Sequence, residues 1–192
     1  MNGSRDPRPD RQERPALAAI RARRSHSKVT DEAPDRRELE ELIGAMSSVA
    51  DHSSLRPWRI IEMRGDDRVK LGRALAKANG TAKDKGIAKA MRAPLVLAVV
   101  VSPRKSGKVP YWEQESVASG VAHYLSLLLH EAGWGTMWRT GEAARHKAIR
   151  KAHRLEKREQ LIGWIYVGGI PDRDKKQKRR GPVEVQRHLG RL

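Results

Sequence analysis

Between Trp112 and Ala132 the apolar residues Val117, Val121, Tyr124, Leu125, Leu128, Leu129 and Ala132 recur at steps of three and four. That is the spacing of a helix with one face against a core. The pattern predicts a helix of about 21 residues, roughly 30 Å long at 1.5 Å per residue. Small residues, Ala118, Ser119, Gly120 and Ala122, line the same segment. Glu113, Glu115, His123, His130 and Glu131 interrupt it, so it does not read as a membrane span, which needs about 20 mostly apolar residues. Gly133 is placed to end the helix with a positive φ. The run from Gly135 to Gly141 then predicts a short strand or loop that sets the Arg139 cation beside the Trp138 indole, a pairing suited to a flat anionic ligand.

The other elements follow from the same reading. Ala16, Leu17, Ala19 and Ile20 predict a short helix with Pro15 at its first position. Asp35 with Glu38 predicts a capping box, opening a helix with Leu39, Leu42, Ile43, Met46 and Val49 on its buried stripe and an end near Ala50. After a polar loop closed by Pro57, residues Trp58 to Met63 predict a strand. Asp66 opens an amphipathic helix that stops at Asn79-Gly80, and Thr81 to Gly86 reads as a linker or part of a lid. The uninterrupted run from Pro94 to Val101 predicts a central strand buried on both faces. A loop from Ser102 to Pro110, a basic helix over Glu142 to His153 and a last strand over Gln160 to Gly169 complete the pattern. Strands alternate irregularly with helices, and no Gly-x-Gly-x-x-Gly follows a strand. These features predict an α+β fold with a mixed central sheet rather than a dinucleotide-binding Rossmann domain.

The 192 residues suffice for one domain with a substantial core. With no cysteine, disulfides, thiol catalysis and Cys-zinc sites are excluded. Residues 1–14 alternate Arg, Asp and Pro without apolar residues and predict a mobile basic arm; no secretory signal is visible, and a cytoplasmic location is expected. The domain proper is expected over residues 15–171, followed by a basic tail over 172–192. The formal charge of +17 makes a polyanion partner worth weighing against plain solvated basic surface. Much of the excess sits in the runs Arg145 to Arg158 and Lys175 to Arg180.

Several constellations fail. His123 and His130, like His146 and His153, are seven apart, about 10 Å along a helix and too far for one metal ion, so no metal site is expected. Glu113 and Glu115 project from different faces of a helix. The loop after the central strand has Ser102 and Val109 where a phosphate loop needs glycine and a hydroxyl.

The run Trp112 to Gly120 with Gly133-Trp134-Gly135-Thr136-Met137-Trp138-Arg139-Thr140-Gly141, together with Arg23-Arg24-Ser25, Asp51 to Trp58 and Gly163 to Gly168, resembles the small bacterial FMN-dependent NAD(P)H nitroreductases. The likeness spans about Ala16 to Pro171. It implies a nitroreductase-like fold around the long central helix, in a homodimer that shares its flavin sites between subunits. It also implies that Arg23, Arg24 and Ser25 hold the flavin phosphate and pyrimidine edge, that Trp138, Arg139 and Thr140 continue the site, and that Ser48 and His52 are lent by the partner. Leu128, Leu129, His130, Glu131, Ala132 and Gly133 match the stretch credited with nicotinamide-nucleotide contact. Ser48 stands where close relatives carry an arginine, and Arg56 replaces a glutamine before Pro-Trp. The activity implied is transfer of hydride from NAD(P)H through FMN to a nitroaromatic, quinone or similar small acceptor, with no side chain acting as acid, base or nucleophile, because the cofactor carries the chemistry. The second reading is a basic protein that keeps the fold as a scaffold for nucleic acid or another polyanion, without turnover.

Overall fold

The computed structural model describes residues 14–172 and 181–192. The expected arm over residues 1–14, apart from Arg14, and the basic run Lys175 to Arg180 lie outside the described residues. The elements in chain order are helices α1 (Pro15–Ala22) and α2 (Arg36–Gly44), strand β1 (Trp58–Met63), helices α3 (Gly65–Ala78) and α4 (Lys83–Ala90), strand β2 (Leu95–Val101), helix α5 (Tyr111–Glu131), strand β3 (Trp134–Arg139), helix α6 (Lys147–Ala152) and strand β4 (Gln160–Gly169). Single 3-10 turns cover Ala45–Ser48, His52–Ser54, Glu142–Arg145 and Val185–Arg187.

The α+β class is as the pattern predicts. The sheet order is β1-β2-β4-β3, and each neighbouring pair is antiparallel. Its parallel component is one isolated bridge, Ser25 to Thr136. Along β2 the side chains alternate: Val96, Ala98 and Val100 join the core beneath α3, α4 and α6, whereas Leu95, Leu97 and Val99 join the core beneath α2 and α5. All of β2 is buried, the consequence of helices on both sides of the sheet.

In β4 the alternation is interrupted. Gly163 pairs with Val99 but Leu161 with Val100, so Ile162 is an extra residue, a β-bulge. Leu161 and Trp164, odd and even, consequently share the α3 side. Gly163 takes φ +157°, and a Cβ there would stand 2.5 Å from the Arg139 carbonyl oxygen and 2.6 Å from Trp138 Nε1. Gly72 and Gly86 are needed for a different closeness: a Cβ on Gly86 would meet the Gly72 carbonyl oxygen at 2.3 Å, so α3 and α4 cross backbone to backbone.

Four expectations change. The helix opened by Asp35, expected to end near Ala50, stops as α-helix at Gly44 and continues only as a 3-10 turn over Ala45–Ser48. Asp35 caps α2 by accepting from the Glu38 N–H at 2.8 Å, but Glu38 does not reciprocate; its carboxylate accepts from Trp134 Nε1 at 2.7 Å, tying α2 to β3. The predicted helix over Glu142 to His153 breaks at His146, whose extended backbone and Nδ1, accepting from the Ala148 N–H, make it the cap of α6. The stretch Thr81 to Gly86 is not an irregular linker: from Lys83 it is the first half of α4.

Candidate functional site

At the C-terminal end of α1 the chain turns and runs beside β3, with the His26 N–H donating to the Thr136 carbonyl at 2.8 Å. This docks Ser25 against the strand and brings Arg23, Arg24 and His26 to the end of α5. Arg24 Nη1 folds back onto the carbonyls of Arg21, Ala22 and Arg23 at 2.5, 3.1 and 2.9 Å, closing the last turn of α1, where carbonyls lack helical partners. His130 lies in this cationic corner. Burial holds its imidazole below the ordinary histidine range, and the nearby charges of His26, Arg23 and Arg24 push it the same way. Its Nδ1 is buried without a hydrogen-bond partner among the described residues.

The strand after α5 continues the site. Trp138 faces α5, meeting the His123 ring edge-on at a centroid separation of 4.9 Å, and its Nε1 is also buried without a partner among the described residues. Arg139, one residue on, alternates to the other face of the sheet: its guanidinium carbon lies 5.3 Å from the centre of the Tyr166 ring, a cation-π distance, and Tyr166 belongs to the core on the α3 side. The structure therefore does not bring the Trp138 and Arg139 side chains together, although the sequence places them as neighbours. Arg139 Nε is buried and unpartnered among the described residues as well. Thr140 is exposed just past β3.

Ser48 and His52 lie elsewhere. Ser48 ends the 3-10 turn after α2, and His52 Nδ1 pairs with Glu113 Oε2 at 2.9 Å, at the opposite end of α5 from His130. Here the exposed side of α5 and the segment Val49 to His52 wall a groove of about 500 Å³, lined also by Trp112, Gly120, His123 and Tyr124. The loop beyond it is strained: Ser53, Ser54 and Arg56 have φ of 64°, 49° and 47°. Asp51 holds them, its carbonyl accepting from Ser54 N–H at 3.0 Å and its Oδ2 from Arg56 N–H at 2.6 Å.

Of the stretch expected to touch a nicotinamide nucleotide, Leu129 is wholly buried in the core under α5 and offers no side chain to a ligand. Helical periodicity turns that position inward. Leu128 is half-buried against the same core, while Glu131, Ala132 and Gly133 are exposed at the turn, Gly133 with φ +89°. Sequence reading does not single out His26, His123, Glu113 or Tyr166 as site residues; they join these clusters only through the fold. Among the described residues no group of His, Asp and Glu could hold a metal ion, and no helix is long and apolar enough to cross a membrane.

Comparison with known proteins identifies the family. The Nitroreductase family profile matches residues 20–169. The Escherichia coli (strain K12) protein named "Putative NAD(P)H nitroreductase YdjA" is 31% identical over 160 residues, covering 80% of this chain and 87% of that protein. A Haemophilus influenzae protein named for the same activity is 30% identical over 161 residues, with the same coverage of 80% and 87%. Among solved structures, a nitroreductase-like family protein from Bacillus cereus superposes with a TM-score of 0.80 at 19% identity, over 94% of this chain and 97% of that one. An FMN-dependent nitroreductase from Clostridium difficile R20291 gives 0.63 at 18% identity, over 88% and 93%. At such identities the structural matches speak for the fold alone. The family profile, spanning most of the chain, decides the assignment: this protein belongs to the nitroreductase family of enzymes.

Proposed function

We propose that the protein is a homodimeric flavoprotein oxidoreductase that binds FMN between subunits and passes electrons from NAD(P)H to a nitroaromatic, quinone or similar acceptor. The observation that carries this reading is the corner where Arg23, Arg24, His26 and His130 converge around a buried, unpartnered His130 Nδ1. A phosphate suits such a corner, because its oxygens accept from guanidinium and imidazole donors and its charge offsets the mutual repulsion of the cations. The FMN-dependent neighbour in fold space supports the same cofactor. A flavin bound there would supply the two-electron redox chemistry between a reduced nicotinamide and the acceptor. On this reading Arg23 and His130 would hold the phosphate, Ser25 and Thr140 would offer hydroxyls to the cofactor, and Trp138 would contribute an aromatic surface on the α5 side. Arg139 acts from the opposite face, by fixing the end of β3 against Tyr166.

The length of α5 supports a site shared between subunits. His52 sits by Glu113, and from Glu113 to His130 along α5 is about 25 Å, farther than one flavin mononucleotide extends. On this reading His52 and Ser48 serve the partner's flavin. The nonenzymatic scaffold reading has no observation of its own at this site. The test compares FMN with riboflavin, which lacks the phosphate. Arg23→Ala is expected to weaken FMN binding roughly 10- to 100-fold, the range for a hydrogen bond to a charged group, and to leave riboflavin affinity unmoved. Equal loss for both ligands, or an FMN affinity unchanged by the substitution, overturns the assignment of the phosphate corner.

A further inference from the structure

The charge of this protein divides between the two sides of its sheet. On the side of α3, α4 and α6, counting α3, α4, Arg92 and residues 142–159, there are fifteen Lys and Arg against six Asp and Glu, a net of +9. On the other side α2 and α5 carry two against six, a net of −4, and the three arginines at the end of α1 raise that only to −1. One of the fifteen, Arg145, reaches across to Glu115 of α5 at 3.1 Å; the others leave a net of +8, nearly half of the total charge of +17, on the layer opposite α2 and α5.

The basic layer is continuous. α3 is its middle member, crossing α4 at the Gly72–Gly86 contact and sharing one core with α6 through Leu71, Leu75 and Ile149. Lys70 is tied to Asp67, and Arg150 donates to the carbonyls of Glu156, Lys157 and Glu159. Arg73, Lys77, Lys89, Lys147, Lys151 and Lys157 are exposed, with no ion pair among the described residues. Holding so many like charges on one side works against folding stability, a cost that a bound polyanion would offset.

We propose that the α3-α4-α6 face is a docking surface for the phosphate backbone of duplex nucleic acid, independent of the flavin site and open in a dimer built on α5. Two features select this polyanion. Among the large hydrophobic residues exposed in the structure, Met91 is the one that belongs to this layer; among the described residues no aromatic side chain is exposed there for stacking unpaired bases, as single-strand binding requires. Nor does the layer offer the apolar face that inserts an amphipathic helix into a lipid surface, because the apolar sides of α3 and α6 are spent on the core. What remains is cation spread over three helices, which reads backbone charge and not sequence.

The experiment measures binding of a fluorescent 20-base-pair duplex by the full chain from about 50 to 200 mM salt. Affinity is expected to fall linearly on a log-log plot, with a slope of about −0.9 per phosphate neutralised. The variant Lys77→Gln/Lys147→Gln/Lys151→Gln is compared with a charge-matched one, Arg21→Gln/Lys28→Gln/Arg37→Gln, outside that layer. The first is expected to make the slope shallower by about 0.9 for each phosphate no longer neutralised and to weaken binding at least tenfold; the second changes neither appreciably. Both variants are checked for unchanged flavin content and thermal midpoint, and the wild-type slope stands as a test should either unfold. Equal losses in the two variants, no binding at 50 mM salt, or tighter binding to anionic lipid vesicles than to the duplex would overturn the proposal. Loss of binding on neutralising Lys175, Lys176, Lys178, Arg179 and Arg180, with the first variant unaffected, would overturn it too.

Discussion

His153 is buried between α6 and β4 with both ring nitrogens engaged: Nδ1 donates to the Ile149 carbonyl at 2.8 Å and Nε2 accepts from Trp164 Nε1 at 3.0 Å. A ring that must accept on one nitrogen is neutral, and burial accordingly holds it below the ordinary histidine value of 6.5. As pH falls below that value the unfolded chain takes up a proton that the folded chain resists, so stability declines. Glu159 acts in a lower window. Arg59 grips its carboxylate with two bonds of 2.7 Å and holds it at about 2 against an ordinary 4.5; the stability this contributes is present above 4.5 and lost as pH falls from there towards 2. Thermal midpoints measured across pH are expected to fall in these two stages. Glu159→Gln should cost about 2–3 kcal/mol at neutral pH and flatten the lower stage, while His153→Gln flattens the upper one. An upper stage that survives in the His153 variant would assign the titration to another group.

Among the elements, β4 does the most to place the site. Its bulge lets Gly163 pass under the end of β3, where Trp138, Arg139 and Thr140 all lie within 3.1 Å of the position a Cβ would take. The blocking atoms include the Arg139 backbone carbonyl, which cannot swing aside as the tip of a side chain can. Gly163→Ala is therefore expected to destabilise the protein by about 1–3 kcal/mol and to lower flavin affinity, because β3 must lift from β4 to admit the methyl group. A thermal midpoint and flavin content both equal to wild type would show that β3 yields freely. At the start of α5, buried Gln114 performs a related service: its amide bonds the backbone of Arg104 in both directions and the Val109 carbonyl, pinning the loop that walls the groove.

At the scale of the whole molecule, one chain leaves apolar surface without cover on the side of α5. Trp112 and Tyr124 on α5 are 66% and 50% exposed, and Ile20, on α1, which packs against α5, is 61% exposed. Surface of this kind marks an association face, and α2, α5 and the end of α1 together are close to neutral, so two copies docked there, as the proposed dimer requires, would meet less like-charge repulsion than on the basic layer. Tyr124→Asp, which sets a further carboxylate in that face, is expected to shift the protein to monomer in sedimentation and to release its flavin in parallel. A monomer that retains stoichiometric flavin would refute the shared site.

The chain's own pattern determined the elements and their roles in the core. A 3.6-residue period names α5, an unbroken β-branched run names β2 as the strand buried on both sides, and Asp35 and Gly133 mark helix ends because capping and positive φ are local properties of the backbone. The motifs that carry the family likeness are also local, which is why Arg23 to Ser25, His52 and Trp138 to Thr140 were legible as candidates. Tertiary structure decided which of them meet. Strand alternation sends Arg139 to Tyr166 and away from Trp138; the bridge from Ser25 to β3 brings His26 and His130, more than a hundred positions apart, into one cationic corner; and helical phase buries Leu129. The charge excess was visible in the composition, but its gathering on one side of the sheet was not, since it depends on three helices from distant stretches packing into one layer. Contacts between residues far apart in the chain are set by how sheet and helices pack, and no local periodicity encodes them.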